Sequence, residues 1–70
     1  MDRDEILAKI AANIRIERTR KKYSQQKLAD LCGITQKYLN LIENQKVNPS
    51  ILIVVAICQS LLIDLNTLLQ

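Results

Sequence analysis

Seventy residues are enough for one small domain, and the whole chain, residues 1–70, is predicted to form it. The composition is 49% apolar, with only two aromatic residues, one glycine and one proline, which favours an all-α bundle over a sheet protein. The two cysteines have no histidine or further cysteine at metal-ligand spacing, so we expect no metal and no cofactor and interpret both as reduced core residues. Nor is an enzyme expected, since the chain lacks histidine, a glycine-rich phosphate loop and a nucleophile beside a base.

The sequence shows no feature typical of a membrane or secreted protein. Its longest apolar run, Ile51 to Cys58, is far shorter than the ~20 residues that span a bilayer. Its start is charged rather than apolar, with acids at Asp2, Asp4 and Glu5. We therefore expect a cytoplasmic protein without a membrane partner.

The net charge of +3 is unevenly distributed along the chain. Residues 15–50 hold eight basic and three acidic side chains, a net +5, whereas Asp64 is the only charged side chain in residues 51–70. A basic half joined to a nearly uncharged half indicates a polyanion on one side and a packed partner on the other. Scattered solvating charge is the plainer alternative.

The first helix is predicted to begin at Asp2 and to run to about Lys21. Asp2 is a good N-cap, with Glu5 three residues later as in a capping box. Apolar residues then recur at helical spacing: Ile6, Leu7, Ile10, Ala11 and Ile14. The basic residues 20–22 suit the negative end of the helix dipole and would equally suit a phosphate. Tyr23, in the following loop, is interpreted as an apolar plug.

Two short helices joined by a tight turn are predicted between Ser24 and Asn44. Ser24 and Thr35 are N-caps for helices over residues 25–32 and 36–43, and Gly33 suits the left-handed residue that ends the first. The second helix is apolar on one face, whereas the opposite face is polar and carries Gln36, Lys37 and Asn40. This arrangement is the helix-turn-helix pattern.

The stretch SQQKLADLCGITQKYLNLIENQKVNPS resembles the XRE family, the Cro and lambda-repressor-like DNA-binding proteins. The matching elements are Ser24-Gln25, Leu28-Ala29, Gly33-Ile34-Thr35, Tyr38-Leu39, Ile42-Glu43 and Pro49-Ser50. The resemblance covers the chain from about Ile10 to Leu69 and implies a five-helix lambda-repressor-like bundle that binds double-stranded DNA. A stand-alone domain of this size also resembles restriction–modification controller proteins, phage Cro-type repressors and small antitoxins.

Under this resemblance, residues 36–43 form the recognition helix. Gln36 can pair bidentately with adenine, and Lys37 can donate to guanine. Thr35 would reach a phosphate or a thymine methyl group, and Asn40 lies one turn after Gln36 on the same face. The resemblance adds position 41, where Leu41 would contact a thymine methyl group or pack internally.

The resemblance also implies phosphate contacts around the recognition helix. Gln25 lies in the first turn of the preceding helix and is expected to anchor a phosphate and to touch the recognition helix. Asn44 and Lys46, which follow the recognition helix, are the next phosphate candidates. Tyr38 either donates to a phosphate or leans on helix four.

Two further expectations concern the end of the recognition helix. The resemblance implies a partly buried ion pair between Arg18 and Glu43 that fastens helix one to this end, in a structural role. The family usually has glycine where Gln45 stands, which leaves the left-handed residue of this loop open. Asn44 tolerates that conformation better than most residues.

Residues 51–61, ILIVVAICQSL, would suit either a buried strand or a helix, and the N-cap Ser50 and the length favour a helix. The core is expected to take Ile51, Val54, Ile57, Cys58 and Leu61. Asp64 would then cap a short last helix. Related sequences are usually polar at several positions that are apolar here, so a homodimer face is expected within residues 50–70. That face consists of Leu52, Ile53, Ala56, Leu68 and Leu69.

The predicted function is therefore that of a sequence-specific transcription regulator that acts as a homodimer on a near-palindromic operator, with autoregulation. The alternative is a protein-interaction module or antitoxin-like partner protein that keeps the fold without reading an operator. Its signature would be an apolar or acidic recognition face, whereas Gln36, Lys37 and Asn40 are polar or basic.

Overall fold

The computed structural model describes all 70 residues, and they form five helices and no strand. The helices are α1 (Arg3–Arg20), α2 (Gln25–Cys32), α3 (Gln36–Glu43), α4 (Ile51–Leu61) and α5 (Leu65–Leu68). The predicted all-α, five-helix architecture is confirmed. None of these helices combines the length and apolarity needed to cross a bilayer.

Each helix begins at a side chain that satisfies a backbone donor of its first turn. In all five, the oxygen of the N-cap side chain accepts from the N–H three residues later. The capping residues are the ones that the sequence predicts: Asp2, Ser24, Thr35, Ser50 and Asp64. Because these bonds are local, the sequence alone is enough to place the helix starts.

Each of the first four helices is followed, one or two positions after its last residue, by a residue with positive φ. In each case this residue and the next donate their N–H groups back to carbonyls of the last turn, as in a Schellman motif. Glycine occupies only the end of α2, at Gly33; the other three are Lys22, Gln45 and Leu62, with φ near 60°. Gln45 therefore takes the left-handed conformation that Asn44 was the better candidate for, and Asn44 keeps a negative φ. The backbone hydrogen bonds from the N–H groups of Gln45 and Lys46 hold Gln45 in this conformation. They offset the steric cost of a left-handed non-glycine residue, which is about 1–2 kcal/mol.

The core is aliphatic and draws on all five helices. Its fully buried large side chains are Ile14, Leu28, Leu39, Ile57, Leu61 and Leu68. Four of the five core residues expected in α4 are buried, but Ile51 is 63% exposed. The first turn of α4 therefore extends past the core, and the buried face begins at Val54.

Leu68 corrects the expected dimer face. It is fully buried, because α5 packs against α1. The Asn13 side chain fastens the C-terminal turn there, donating to the carbonyls of Leu68 at 2.9 Å and Gln70 at 3.1 Å. Leu69 is half-buried against the core. A side chain already enclosed by its own subunit has no surface left to offer a second copy.

Both cysteines are free thiols. Cys58 is part of the core, and Cys32 packs against it with its Sγ 3.4 Å from the Ser60 Oγ. Burial raises the pKa of both thiols; the charge of Asp64 raises that of Cys58 further, whereas the bond to Ser60 works against the rise at Cys32. The thiols are accordingly protonated at neutral pH, as expected of reduced core residues.

Candidate nucleic-acid interface

Helix α3 presents one buried face and one face that is open to solvent. Leu39 and Ile42 lie in the core, where they pack α3 against α1 and α2. Gln36, Lys37 and Asn40 are exposed. The period of the helix therefore brings three polar side chains together on one solvent-facing surface, as a recognition helix requires.

Thr35, Tyr38 and Leu41 were also expected near the DNA-facing side of α3, and they differ in exposure. Thr35 is exposed, but its hydroxyl already accepts from the Tyr38 N–H at 3.1 Å as the N-cap of α3. Tyr38 packs its ring against the core, and Leu41 is half-buried. Both alternatives for each residue stay predictions: a phosphate or helix four for Tyr38, and a thymine methyl group or internal packing for Leu41.

The C-terminal end of α3 is fixed by a buried carboxylate, that of Glu43. Glu43 is only 2% exposed, and its side chain forms the predicted ion pair with Arg18, Oε2 to Nε at 2.8 Å and Oε1 to Nη2 at 3.1 Å. Arg18 also donates to the carbonyl of Tyr23 at 2.9 Å. One guanidinium thus ties together α1, the loop before α2 and the end of α3.

Two further side chains converge on Glu43. Gln25 was expected to touch the recognition helix, but neither it nor Arg15 was predicted to contact Glu43 itself. Arg15 donates to the Glu43 carbonyl at 2.8 Å, with its Nε 3.8 Å from Oε1. Gln25 donates from Nε2 to Oε1 at 3.1 Å. The contact of Arg15 with Glu43 could have been inferred from the sequence, because Arg15 lies three residues before Arg18 on the same face of α1. No local signal points from Gln25 to Glu43, because the two lie on different helices.

Burial of acids makes the surface of this segment more basic than its composition suggests. Of the three acids in residues 15–50, Glu17 and Glu43 are buried, and only Asp30 is exposed. Seven of the eight basic side chains are exposed: Arg15, Arg20, Lys21, Lys22, Lys27, Lys37 and Lys46. Such a surface favours a polyanion.

The phosphate candidates lie at the two ends of the helix-turn-helix. The Gln25 Nε2 donates to Glu43, which leaves its second N–H and the free backbone N–H groups in the first turn of α2 for a phosphate there. Asn44 is exposed and donates to the Asn40 carbonyl at 2.8 Å, which closes the end of α3. Lys46 is exposed two residues later.

Comparison with known structures finds close relatives of this fold. The restriction-modification controller protein C.AhdI from Aeromonas hydrophila superimposes with a TM-score of 0.84 at 31% identity, over 89% of this chain and 94% of that one. A hypothetical transcription factor, NHTF, from Neisseria superimposes with a TM-score of 0.90 at 28% identity, over 97% of this chain and 76% of that one.

At the level of sequence, a family model described as helix-turn-helix matches residues 14–68. No curated protein matches the sequence. The family match spans the recognition helix, the Arg18–Glu43 pair and four of the five helices in full. The chain therefore belongs to the XRE-type helix-turn-helix family of DNA-binding regulators.

Proposed function

We propose that this protein is a sequence-specific transcription regulator that binds a near-palindromic operator as a homodimer. The observation that carries the proposal is the exposed polar face of α3, which lies in a segment, residues 15–50, with seven exposed basic side chains and one exposed acid. Basic side chains supply salt-dependent affinity through phosphates, whereas side chains on base edges supply discrimination. Gln36, Lys37 and Asn40 are positioned for the second task.

The proposed binding mode follows from the helix geometry. Two copies of α3, related by a two-fold axis, enter successive major grooves ~34 Å apart. Gln36 pairs with adenine and Lys37 with guanine, while Thr35 and Leu41 approach a thymine methyl group. The first turn of α2 and the side chains of Tyr38, Asn44 and Lys46 contact phosphates on either side.

The homodimer is proposed to form through exposed apolar side chains of α4 and the turn after it. Leu52 is 79% exposed, and Val55, three residues later on the same face of α4, is also exposed; Leu62, directly after the helix, is 80% exposed. Ile53 and Ala56 are half-buried beside this stripe. Covering these side chains in a dimer removes an apolar patch that is unusual for a soluble monomer.

Autoregulation is the proposed biological role. The similar structure C.AhdI is a restriction-modification controller protein, and it matches this chain over nearly the full length of both. A regulator of this kind responds to its own concentration when occupancy of the operator is coupled to dimerisation. We therefore propose that the operator lies upstream of the gene for this protein.

Binding of the purified protein to its own upstream promoter DNA, against scrambled DNA at physiological salt, tests this function. We expect selective binding with two protomers per site. The double variant Gln36→Ala, Lys37→Ala should lose at least about tenfold of the preference for the operator, because each good base contact contributes about 1–3 kcal/mol. Lys9→Ala removes the same charge from α1, outside the helix-turn-helix, and should keep the preference.

Equal, weak binding of the wild-type protein to both DNAs would contradict the proposed function. Only the electrostatic contribution to affinity would then remain. The protein-interaction alternative would take its place, and a protein partner would be sought with the same α3 variants.

The dimer face is tested by the mass of the protein in solution as a function of its concentration. We expect the 8.0 kDa chain to form a dimer and Leu52→Asp to weaken it by at least about tenfold, because a charge would be buried among apolar side chains. Leu31→Asp places the same change on an exposed leucine of α2 and should leave the mass unchanged. A wild-type monomer at all concentrations, or equal effects of the two variants, would contradict the proposed interface.

A further inference from the structure

The turn after α4 contains a leucine in a strained backbone conformation. Leu62 has φ 59° and ψ 42°, the left-handed region that Gly33 occupies at the end of α2. A residue with a Cβ meets a steric cost there. Backbone hydrogen bonds hold the turn: the Leu62 N–H donates to the Gln59 carbonyl at 3.3 Å, and the Ile63 N–H donates to the Cys58 carbonyl at 3.0 Å. These bonds fix the conformation whatever side chain stands at position 62.

The Leu62 side chain contributes almost no packing to its own subunit. It is 80% exposed, more than any other large apolar side chain of the protein. Its neighbours Leu61 and Ile63 lie in the core or pack against it. A glycine at position 62 would keep the backbone bonds, lose little buried apolar surface and remove the steric cost. Relative to glycine, the leucine therefore adds strain to the monomer without adding packing.

The other two left-handed residues with a side chain differ from Leu62 in polarity. Lys22 has φ 61° and Gln45 has φ 60°, and both are exposed after the end of a helix. Their polar groups are hydrated by solvent, whereas Leu62 leaves apolar surface in water. Only Leu62 thus combines backbone strain with an exposed apolar side chain, and both features become favourable or tolerable when a partner covers that side chain.

A second copy of this chain is the partner that the surroundings of Leu62 favour. Residues 51–70 carry one charged side chain, Asp64, so charge complementarity to a different protein has little to act on. Leu52 and Val55 are exposed on the helix that Leu62 follows. Gln59 is exposed one turn after Val55, and an amide that both donates and accepts can pair with its own copy across a two-fold axis. An apolar surface with a self-complementary amide suits an interface between identical subunits.

We propose that Leu62 is the anchor side chain of the homodimer, a residue that destabilises the monomer through its backbone and stabilises the dimer through its burial. This inference rests on the proposed homodimer and deepens it by naming the residue that sets the protein concentration at which dimers form. The fixed left-handed turn gives the Leu62 Cβ one direction before association, so little backbone entropy is lost on binding. A residue outside the recognition helix thereby controls how much operator-binding dimer is present.

The test uses the full chain and measures monomer stability separately from dimerisation. Dimerisation is followed by analytical ultracentrifugation over a range of protein concentrations. Monomer stability is followed by urea denaturation in a background that carries Leu52→Asp, the variant expected to be monomeric. Leu62→Gly removes the strain and the side chain together, whereas Leu62→Ala removes most of the side chain and keeps the strain. Lys22→Gly and Gln45→Gly are the matched controls, because they relieve the same strain elsewhere.

We expect Leu62→Gly to weaken the dimer by at least about tenfold, because an interface between identical subunits buries two copies of this side chain. The same substitution should raise the folded-to-unfolded ratio of the monomer by about two- to fivefold, since the relief of strain exceeds the entropy that glycine adds to the unfolded chain. Leu62→Ala should weaken the dimer similarly without stabilising the monomer. Lys22→Gly and Gln45→Gly should stabilise the monomer as Leu62→Gly does and leave the dimer intact.

Two results would overturn the role of Leu62 while leaving the homodimer in place. A dimer of wild-type strength in Leu62→Gly would show that other side chains anchor the interface. A monomer that Lys22→Gly and Gln45→Gly stabilise but Leu62→Gly destabilises would show that this leucine packs within its own subunit. A wild-type protein that is monomeric at all concentrations would instead overturn the proposed homodimer, and the urea measurements would still decide whether Leu62 is strained.

Discussion

Replacing Glu43 by alanine is expected to lower the free energy of unfolding by about 3–5 kcal/mol. The substitution removes the acceptor of Arg18 and Gln25 and leaves the Arg18 guanidinium, whose side chain is only 16% exposed, without its charge partner. A domain of this size has only a few kcal/mol of stability to lose. The variant should therefore be largely unfolded in urea titrations followed by far-UV circular dichroism.

Two further variants make this expectation specific to the buried pair. Asp30→Ala removes an exposed acid of α2 and should change stability by less than about 0.5 kcal/mol. The double substitution Arg18→Met, Glu43→Leu removes both charges together and should recover much of the loss, because an apolar pair needs no desolvation of ions. If Glu43→Ala cost no more than Asp30→Ala, the pair would have no stabilising role.

The second large effect is expected at Leu68. Substitution of this leucine by alanine should cost about 2–5 kcal/mol, because it opens a cavity where α5 packs against α1. Leu52→Ala is the matched control: the same atoms are removed from a side chain that is 79% exposed, and the cost in the monomer should be close to zero. Urea denaturation at low protein concentration separates this effect from dimerisation.

A larger loss of stability in Leu52→Ala than in Leu68→Ala would contradict the packing of α5 against α1. A small effect of Leu68→Ala would mean that the last helix lies loosely on the domain. Leu68 could then serve the dimer interface, as the sequence pattern suggested.

The recognition surface was largely predictable from the sequence. Ser24 and Thr35 cap helices through bonds to residues three positions later, so both helix starts are local properties. Leu39 and Ile42 define the inner face of α3 by their spacing, and the period of the helix then places Gln36, Lys37 and Asn40 on the outer face. The Arg18–Glu43 pair joins residues 25 positions apart, and only the family resemblance predicted it.

The sequence by itself thus determined the five helices, their N-caps and the polar face of α3, because each depends on contacts within a few residues. Four of the five core residues expected in α4 are buried, and only the tertiary structure decided that the fifth, Ile51, extends past the core. The tertiary structure also decided that Leu68 belongs to the core and that Gln25 links Glu43 to Asn40. These arrangements depend on helices that are distant in sequence and adjacent in space, and no local pattern encodes such contacts.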